Sequence, residues 1–191
     1  MGRLQEPLFV GLDTASSFLA LALWSPGRGT VAAFCQSVGR DHAKRIIVEL
    51  DKLAAGTAGG RSAIRGIGVG IGPGSYTGLR VGVAVAKGLA TGLGVRVSGV
   101  ETLAAIAWGA LADGSRGVAT LDARRDNVYA AVYERRGPEL ELVERLGKVS
   151  RRDLKATFAT LPILEGVAPD AAFIARAAYR QPGRPAEPMY L

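Results

Sequence analysis

The sequence predicts an α/β fold built as two lobes. Short apolar runs of strand length alternate with longer segments whose apolar residues recur every three or four positions. Two of the short runs, 8–12 and 117–121, lead into an aspartate, Asp13 and Asp122. After each aspartate the same series follows: a turn, two further strands and a helix. The duplication is one of pattern, not of residue identity. It puts a boundary near 99–102, with an amino-terminal lobe over 1–100 and a shorter carboxy-terminal lobe over 101–191.

The elements follow in order. Residues 8–12 and 18–24 are apolar runs, Pro26-Gly27-Arg28-Gly29 is a turn, and 30–38 returns as a third strand, so the chain opens as an antiparallel meander. Ala43, Ile46, Ile47, Leu50, Leu53 and Ala54 then lie on one face of a helix over 41–55, with Asp41 placed to cap it or to meet its dipole. A loop over 56–61 leads to a glycine-punctuated strand, 64–71. Pro73 and Gly74 end that strand, and a long apolar helix runs over 77–91. Strand 96–100 and helix 102–112 close the first series. The second consists of strands 117–121, 128–134 and 140–149, a short helix to 158 capped by Ser150, a short strand at 162–165 and a helix over 169–179. Pro182, Pro185 and Pro188 predict an extended tail on the surface.

Composition narrows the function. With 191 residues, 48% hydrophobic and 21% charged, the chain has enough apolar material for a real core. No apolar run is long enough to span a bilayer, and 1–5 is too polar for a signal, which points to the cytoplasm. Single residues at Cys35 and His42 rule out a zinc or iron site needing two histidines or two cysteines, though a carboxylate-held magnesium stays open. The net charge of +7 sits mostly in 1–100, with 11 Lys/Arg against 5 Asp/Glu, and is scattered rather than striped. No nucleic-acid-binding motif accompanies it, so any contact with a nucleic acid is expected to be indirect.

The glycine-rich stretch from Gly66 to Gly74 suggests phosphate binding, but the dinucleotide, Walker A and serine-elbow spacings all fail in it. What remains is a strand, a tight turn and a helix start whose N–H groups can hold an anion or simply pack. Asp13 and Thr14 sit at the matching strand end, where a carboxylate can reach a magnesium through water or bind local N–H groups. Asp13, Thr14, Gly74 and Ser75 are therefore the candidate remnant of an anion or nucleotide site. The helix that follows carries Gly78, Gly82, Ala86 and Ala90 at four-residue spacing beside Val81, Val85 and Leu89. Such a stripe lets another helix, or the chain's own sheet, approach closely. A Ser75–His42–Asp catalytic set has nothing in the sequence to bring it together.

Leu12-Asp13-Thr14-Ala15, Asp41-His42, the run from Gly72-Pro73-Gly74-Ser75-Tyr76-Thr77-Gly78-Leu79-Arg80 to Gly82, Asp122-Ala123-Arg124-Arg125-Asp126-Asn127-Val128-Tyr129 and the terminal Glu187-Pro188-Met189-Tyr190-Leu191 together resemble the TsaB family over nearly the whole chain. The resemblance implies an actin-like (ASKHA, ribonuclease H-like) two-lobed fold, a mixed sheet with flanking helices in each lobe. It implies a non-catalytic relative of TsaD, the enzyme that places threonylcarbamoyl on N6 of adenosine-37 in tRNA, and an accessory role in tRNA modification. The implied partners are a TsaD-like catalytic subunit, a TsaE-like ATPase and, in their absence, a second copy of the chain. Pairing is implied through the two first-lobe helices, with His42, Ile46, Leu50, Leu53, Gly78, Gly82, Val85, Ala86 and Leu89 as the interface and no cofactor of its own. Ala15, where actin-like ATPases want glycine, agrees with this, and the shortened second lobe puts the contacts to the ATPase in doubt. The alternatives are an ATP-binding small kinase or phosphohydrolase of the same fold and, behind it, a peptidase.

Overall fold

The computed structural model describes residues 6–39 and 41–190. The readings of 1–5 and of the terminal Leu191 lie outside these residues. The first sheet has five strands: β1 (Leu8–Asp13), β2 (Phe18–Ser25), β3 (Gly29–Ser37), β4 (Ile64–Gly70) and β5 (Arg96–Val100), in the order β3-β2-β1-β4-β5. The turns after β1 and β2 are short enough for hairpins, so β1, β2 and β3 are antiparallel. The longer connections contain α1 (His42–Ala55) and α2 (Tyr76–Leu93), and these crossovers make β4 and β5 parallel to β1.

Alternation along the strands separates two unlike faces. Leu8, Val10, Leu12, Leu19, Leu21, Leu23, Ile67 and Val69 form one core with Ile46, Leu50 and Ala54 of α1 and Val83, Ala86 and Ala90 of α2. The other face consists largely of glycine and alanine: Gly11 of β1, Ala20 and Ala22 of β2, and Gly66, Gly68 and Gly70 of β4. There α5 (Ala171–Arg180) lies directly on the sheet. A Cβ added at Gly11 would run into the Ala171 carbonyl, and one at Gly68 into the Ile174 carbonyl. Gly11 of β1 and Gly68 of β4 thus make room for a helix backbone, a use of glycine that its missing side chain alone permits.

The second sheet has four strands, β6 (Arg116–Asp122), β7 (Asn127–Arg136), β8 (Glu139–Ser150) and β9 (Ile163–Leu164), in the order β8-β7-β6-β9. Only β9 is parallel to its neighbour. Leu103, Ile106 and Ala107 of α3 (Thr102–Ala110) pack on Ala119, Leu121, Ala131 and Tyr133. Leu154 of α4 (Arg151–Thr157) covers Val118, Val128 and Ala130 on the opposite side. Ser150 caps α4 as its sequence suggests, accepting the Asp153 N–H.

Several expectations need correction. Residues 101–191 do not form a separate packing unit, because α5 completes the first lobe. The proline-rich tail is extended and mostly exposed, as its prolines predict, but it is also tied to the first sheet. Gly99 N–H donates to Arg184 O (3.1 Å), Gly183 N–H to Ser98 Oγ (2.9 Å) and Met189 N–H to Ile71 O (2.7 Å), and Ala186 is buried in the first core. Prolines suit such a strap, which supplies carbonyls where they lack N–H groups. Asp41 precedes α1 without a side-chain cap and pairs instead with Lys44 at 3.1 Å. The loop after α1 ends in a 3-10 turn, Gly60–Ala63.

Two glycine substitutions should separate close approach from open space. Gly68→Ala is expected to destabilise the fold by about 2–3 kcal/mol, since neither backbone can yield easily. Gly88→Ala, where an added Cβ meets nothing within 4 Å, is expected to gain up to about 1 kcal/mol of helix propensity. Urea denaturation of the two variants tests the pair.

Candidate functional site

The carboxyl end of β1 is a node rather than an open loop. Asp13 is fully buried. Ala15 N–H donates to its Oδ1 (2.8 Å) and the Thr102 hydroxyl to its Oδ2 (2.7 Å), while Thr102 Oγ1 accepts Gly72 N–H at 3.2 Å. The side chain therefore ties β1, the turn after β4 and the start of α3. Burial raises the Asp13 carboxyl to about 6, although both hydrogen bonds pull it down. Thr14 is equally committed, its hydroxyl donating to Gly78 O at 2.7 Å. Gly74 lies against Ala15, and Ser75 N–H donates to Ala15 O at 2.7 Å. Ser75 Oγ caps α2 through Gly78 N–H. Each polar side chain of the candidate anion remnant thus has a partner inside the chain.

Between the lobes lies a cleft of about 590 Å³, lined among others by Ser16, Ser75, Asp122, Arg124, Tyr129 and Arg151. Asp13 and Thr14 are not on its wall. One edge is the β6–β7 turn, where Arg124, Arg125 and Asp126 all have positive φ (62°, 52° and 60°). Three such residues without glycine cost about 1–3 kcal/mol each. The Asn127 amide donates to Arg124 O and Arg125 O, Arg151 N–H donates to Asp126 O, and the Arg151 guanidinium binds Asp122 at 2.9 Å and meets Glu165. Sequence reading missed this strain, because no glycine marks it. His42 is buried and its Nε2 lies 3.1 Å from Phe18 O, which commits that nitrogen to the backbone. Among the described residues no group of three or more His, Cys, Asp or Glu is placed to hold a metal ion.

The two first-lobe helices form a second candidate. Of the nine residues expected at a partner surface, Ile46 and Ala86 are sealed under the chain's own sheet. Gly78 and Gly82 are buried against Thr14, where a Cβ would meet the Thr14 carbonyl and hydroxyl. These four and His42 are inward residues, so the small-residue stripe serves the chain's own packing. Leu50, Val85 and Leu89 do line a groove of about 430 Å³ between α1 and α2, with Leu53 half-buried nearby. The groove also takes in Ile47, Gly88, Gly92 and Leu93, none of them among the nine residues expected at the interface. Ile47 is 39% exposed and the adjacent Val48 51%, large apolar side chains left facing water. A second four-residue glycine pair, Gly88 and Gly92, was the available signal.

A family model described as TsaD: tRNA N6-adenosine threonylcarbamoyltransferase matches residues 34–165. The chain is similar to the tRNA threonylcarbamoyladenosine biosynthesis protein TsaB of Escherichia coli (strain K12), 31% identical over 128 residues, which are 66% of this chain and 54% of that protein. It is also similar to the protein of the same name from Haemophilus influenzae (strain ATCC 51907 / DSM 11121 / KW20 / Rd), 34% identical over 128 residues, 66% and 53% of the two chains. The chain spans about half the length of the curated relatives it matches. Among solved structures, YeaZ from Pseudomonas aeruginosa superposes with a TM-score of 0.77 at 26% identity, covering 97% of this chain and 100% of that one. A second structure, described as an uncharacterized protein with similarity to peptidase YeaZ from Pseudomonas aeruginosa, gives 0.80 at 26% identity over 97% and 99%. The fold is thus the mixed α/β, actin-like fold of these relatives.

Asp13 makes a signed pH prediction. Its folded value, about 6, exceeds the ordinary 3.8, so protonation favours the folded state. That contribution is fully present below about pH 4 and is lost as pH rises through 6. Relative to Asp13→Asn, which cannot ionise, the unsubstituted chain is expected to lose up to about 3 kcal/mol between pH 4 and 7. Urea titrations of both proteins across that range measure the difference, and a constant gap contradicts the assignment.

Proposed function

We propose, from the premise that this chain belongs to the TsaD family of tRNA N6-adenosine threonylcarbamoyltransferases and to its TsaB-like branch, that it is a non-catalytic accessory subunit of tRNA threonylcarbamoyladenosine synthesis. It pairs with a TsaD-like catalytic subunit through the α1–α2 face. Without that subunit it pairs with a second copy of itself through the same face. A TsaE-like ATPase joins the assembly, tRNA is reached through the catalytic partner, and the setting is the cytoplasm.

The groove between α1 and α2 carries this reading. Its walls are Ile47, Leu50, Val85, Leu89 and Leu93, and Gly88 and Gly92 keep one ridge bare. Two helices with an open apolar seam are suited to receive another helix pair as a four-helix bundle. The buried side chains of Asp13 and Thr14 support a role without nucleotide chemistry, since both are turned to internal partners and neither lines the interlobe cleft.

Gly88→Arg is the decisive variant. Nothing lies within 4 Å of an added Cβ there, so the isolated chain is expected to melt no lower than the parent. The long side chain fills the seam, and co-purification with a TsaD-like partner should weaken by at least about tenfold. Full retention of pairing, read by size-exclusion chromatography with light scattering, would falsify the interface. Calorimetry of the isolated chain with magnesium and ATP is expected to show no saturable heat, whereas tight binding and turnover would favour a kinase or phosphohydrolase instead.

A further inference from the structure

A second cavity, sharing no lining residue with the interlobe cleft, opens where α5 meets the β7–β8 hairpin. We propose that it binds a small dianionic phosphate monoester carrying a flat or apolar body. The cavity holds about 370 Å³, within the range of small-ligand sites. Val100, Ala104, Leu140 and Phe173 give it an apolar floor, and Arg176, Arg180 and Arg184 line it beside them.

The arginines are placed by the fold. Arg176 and Arg180 are one turn apart on α5. Arg184 follows the helix and is held by the tail strap, its carbonyl accepting Gly99 N–H. Two carboxylates partly balance the charge. Glu139 binds Arg180 at 3.0 Å, while Glu101 binds Arg145 at 2.9 Å and stands 4.0 Å from Arg184. Four guanidiniums therefore face two carboxylates, leaving two positive charges. Arg176 has no carboxylate within salt-bridge distance among the described residues. Its hydrogen bond goes to Pro138 O at 3.3 Å, and its guanidinium stacks over Trp108 at 4.0 Å. Partial burial, with Arg180 alongside, lowers the Arg176 pKa, as befits a cation short of an anion. Arg135 stacks on the same indole at 4.1 Å, and its Nε is buried without a partner.

Charge and shape together select the ligand class. A phosphate monoester carries close to two negative charges near neutral pH. Guanidinium forks match phosphate oxygens in pairs. The floor beside them includes Phe173, itself stacked on Trp108 at 5.3 Å, against which an attached ring can pack. The exposed Arg180–Glu139 pair is weak enough to be exchanged for a dianion.

The test follows the full-length chain, labelled with nitrogen-15, through the indole signals of Trp24 and Trp108 and the Nε signal of Arg176. Phenyl phosphate is titrated first, then inorganic phosphate, which lacks the ring, and benzoate, which keeps the ring with a single charge. Saturable shifts of the Trp108 and Arg176 signals are expected with phenyl phosphate, the Trp24 signal staying in place. Inorganic phosphate and benzoate are expected to bind at least about tenfold more weakly. Arg176→Gln combined with Arg180→Gln should weaken phenyl phosphate by at least about tenfold, and Arg184→Gln alone should weaken it less. An unmoved Trp24 signal and an unchanged melting temperature certify the fold of each variant. Absence of saturation at millimolar phenyl phosphate overturns the proposal. So does equal affinity for benzoate or inorganic phosphate, or affinity unchanged in the double arginine variant.

Discussion

The first lobe rests on one geometric constraint: a helix backbone must touch a sheet backbone. The inner face of β1, β2 and β4 carries almost no side chains where α5 crosses, with Gly11, Gly68, Ala20 and Ala22 beneath it. Helix and sheet there are closer than ordinary side-chain packing permits. Dispersion between backbones replaces the usual layer of leucines there; Phe9 and Trp24 meet Tyr179 at the end of α5, while the leucines lie on the α1–α2 face. Other features follow from this contact. With α5 seated, the strap from Gly183 to Met189 lies along β5 and the turn after β4, and Arg176 and Arg180 come to the border between the lobes.

The second tie is electrostatic. Asp13 holds the turn after β1 and the start of α3 through two hydrogen bonds and reaches the turn after β4 through Thr102, fully buried and with no cation at salt-bridge distance among the described residues. A buried carboxylate in such a place is tolerated because both oxygens are satisfied. Gly70 keeps the space free, since a Cβ there would collide with the Asp13 carboxylate. The alternating glycines of β4 thus serve two neighbours, a helix backbone at Gly68 and a carboxylate at Gly70. Neither is a phosphate, although the same spacing first suggests one.

Much of the fold was legible in the sequence. Strand and helix positions followed from periodicity, because a buried strand and an amphipathic helix leave different spacings. The assignment of α5 was not legible. Its pattern says that one face is apolar, but nothing in it says which sheet it covers; that depends on the complementary bare face of β1 and β4. The candidate interface failed in part for a related reason. Gly78 and Gly82 approach Thr14 of the same chain, while Gly88 and Gly92 face open space on the same helix. Composition cannot tell these cases apart, since close approach asks for the same residues whatever approaches. The turn at Arg124–Asp126 was hidden for the opposite reason, as left-handed backbone there is held by Asn127 and Arg151 without the glycine that usually marks it.

The position of α5 also imposes an order on synthesis. The five strands of the first sheet have all been synthesised once Val100 is made, yet the helix that covers their bare face begins at Ala171. Roughly 70 further residues must be added first, which takes several seconds at ordinary elongation rates. Throughout that interval the nascent sheet has one finished face and one of exposed backbone and small apolar groups. The second sheet is assembled in the meantime, ahead of completion of the first. The lobe that begins the chain is therefore the last to close.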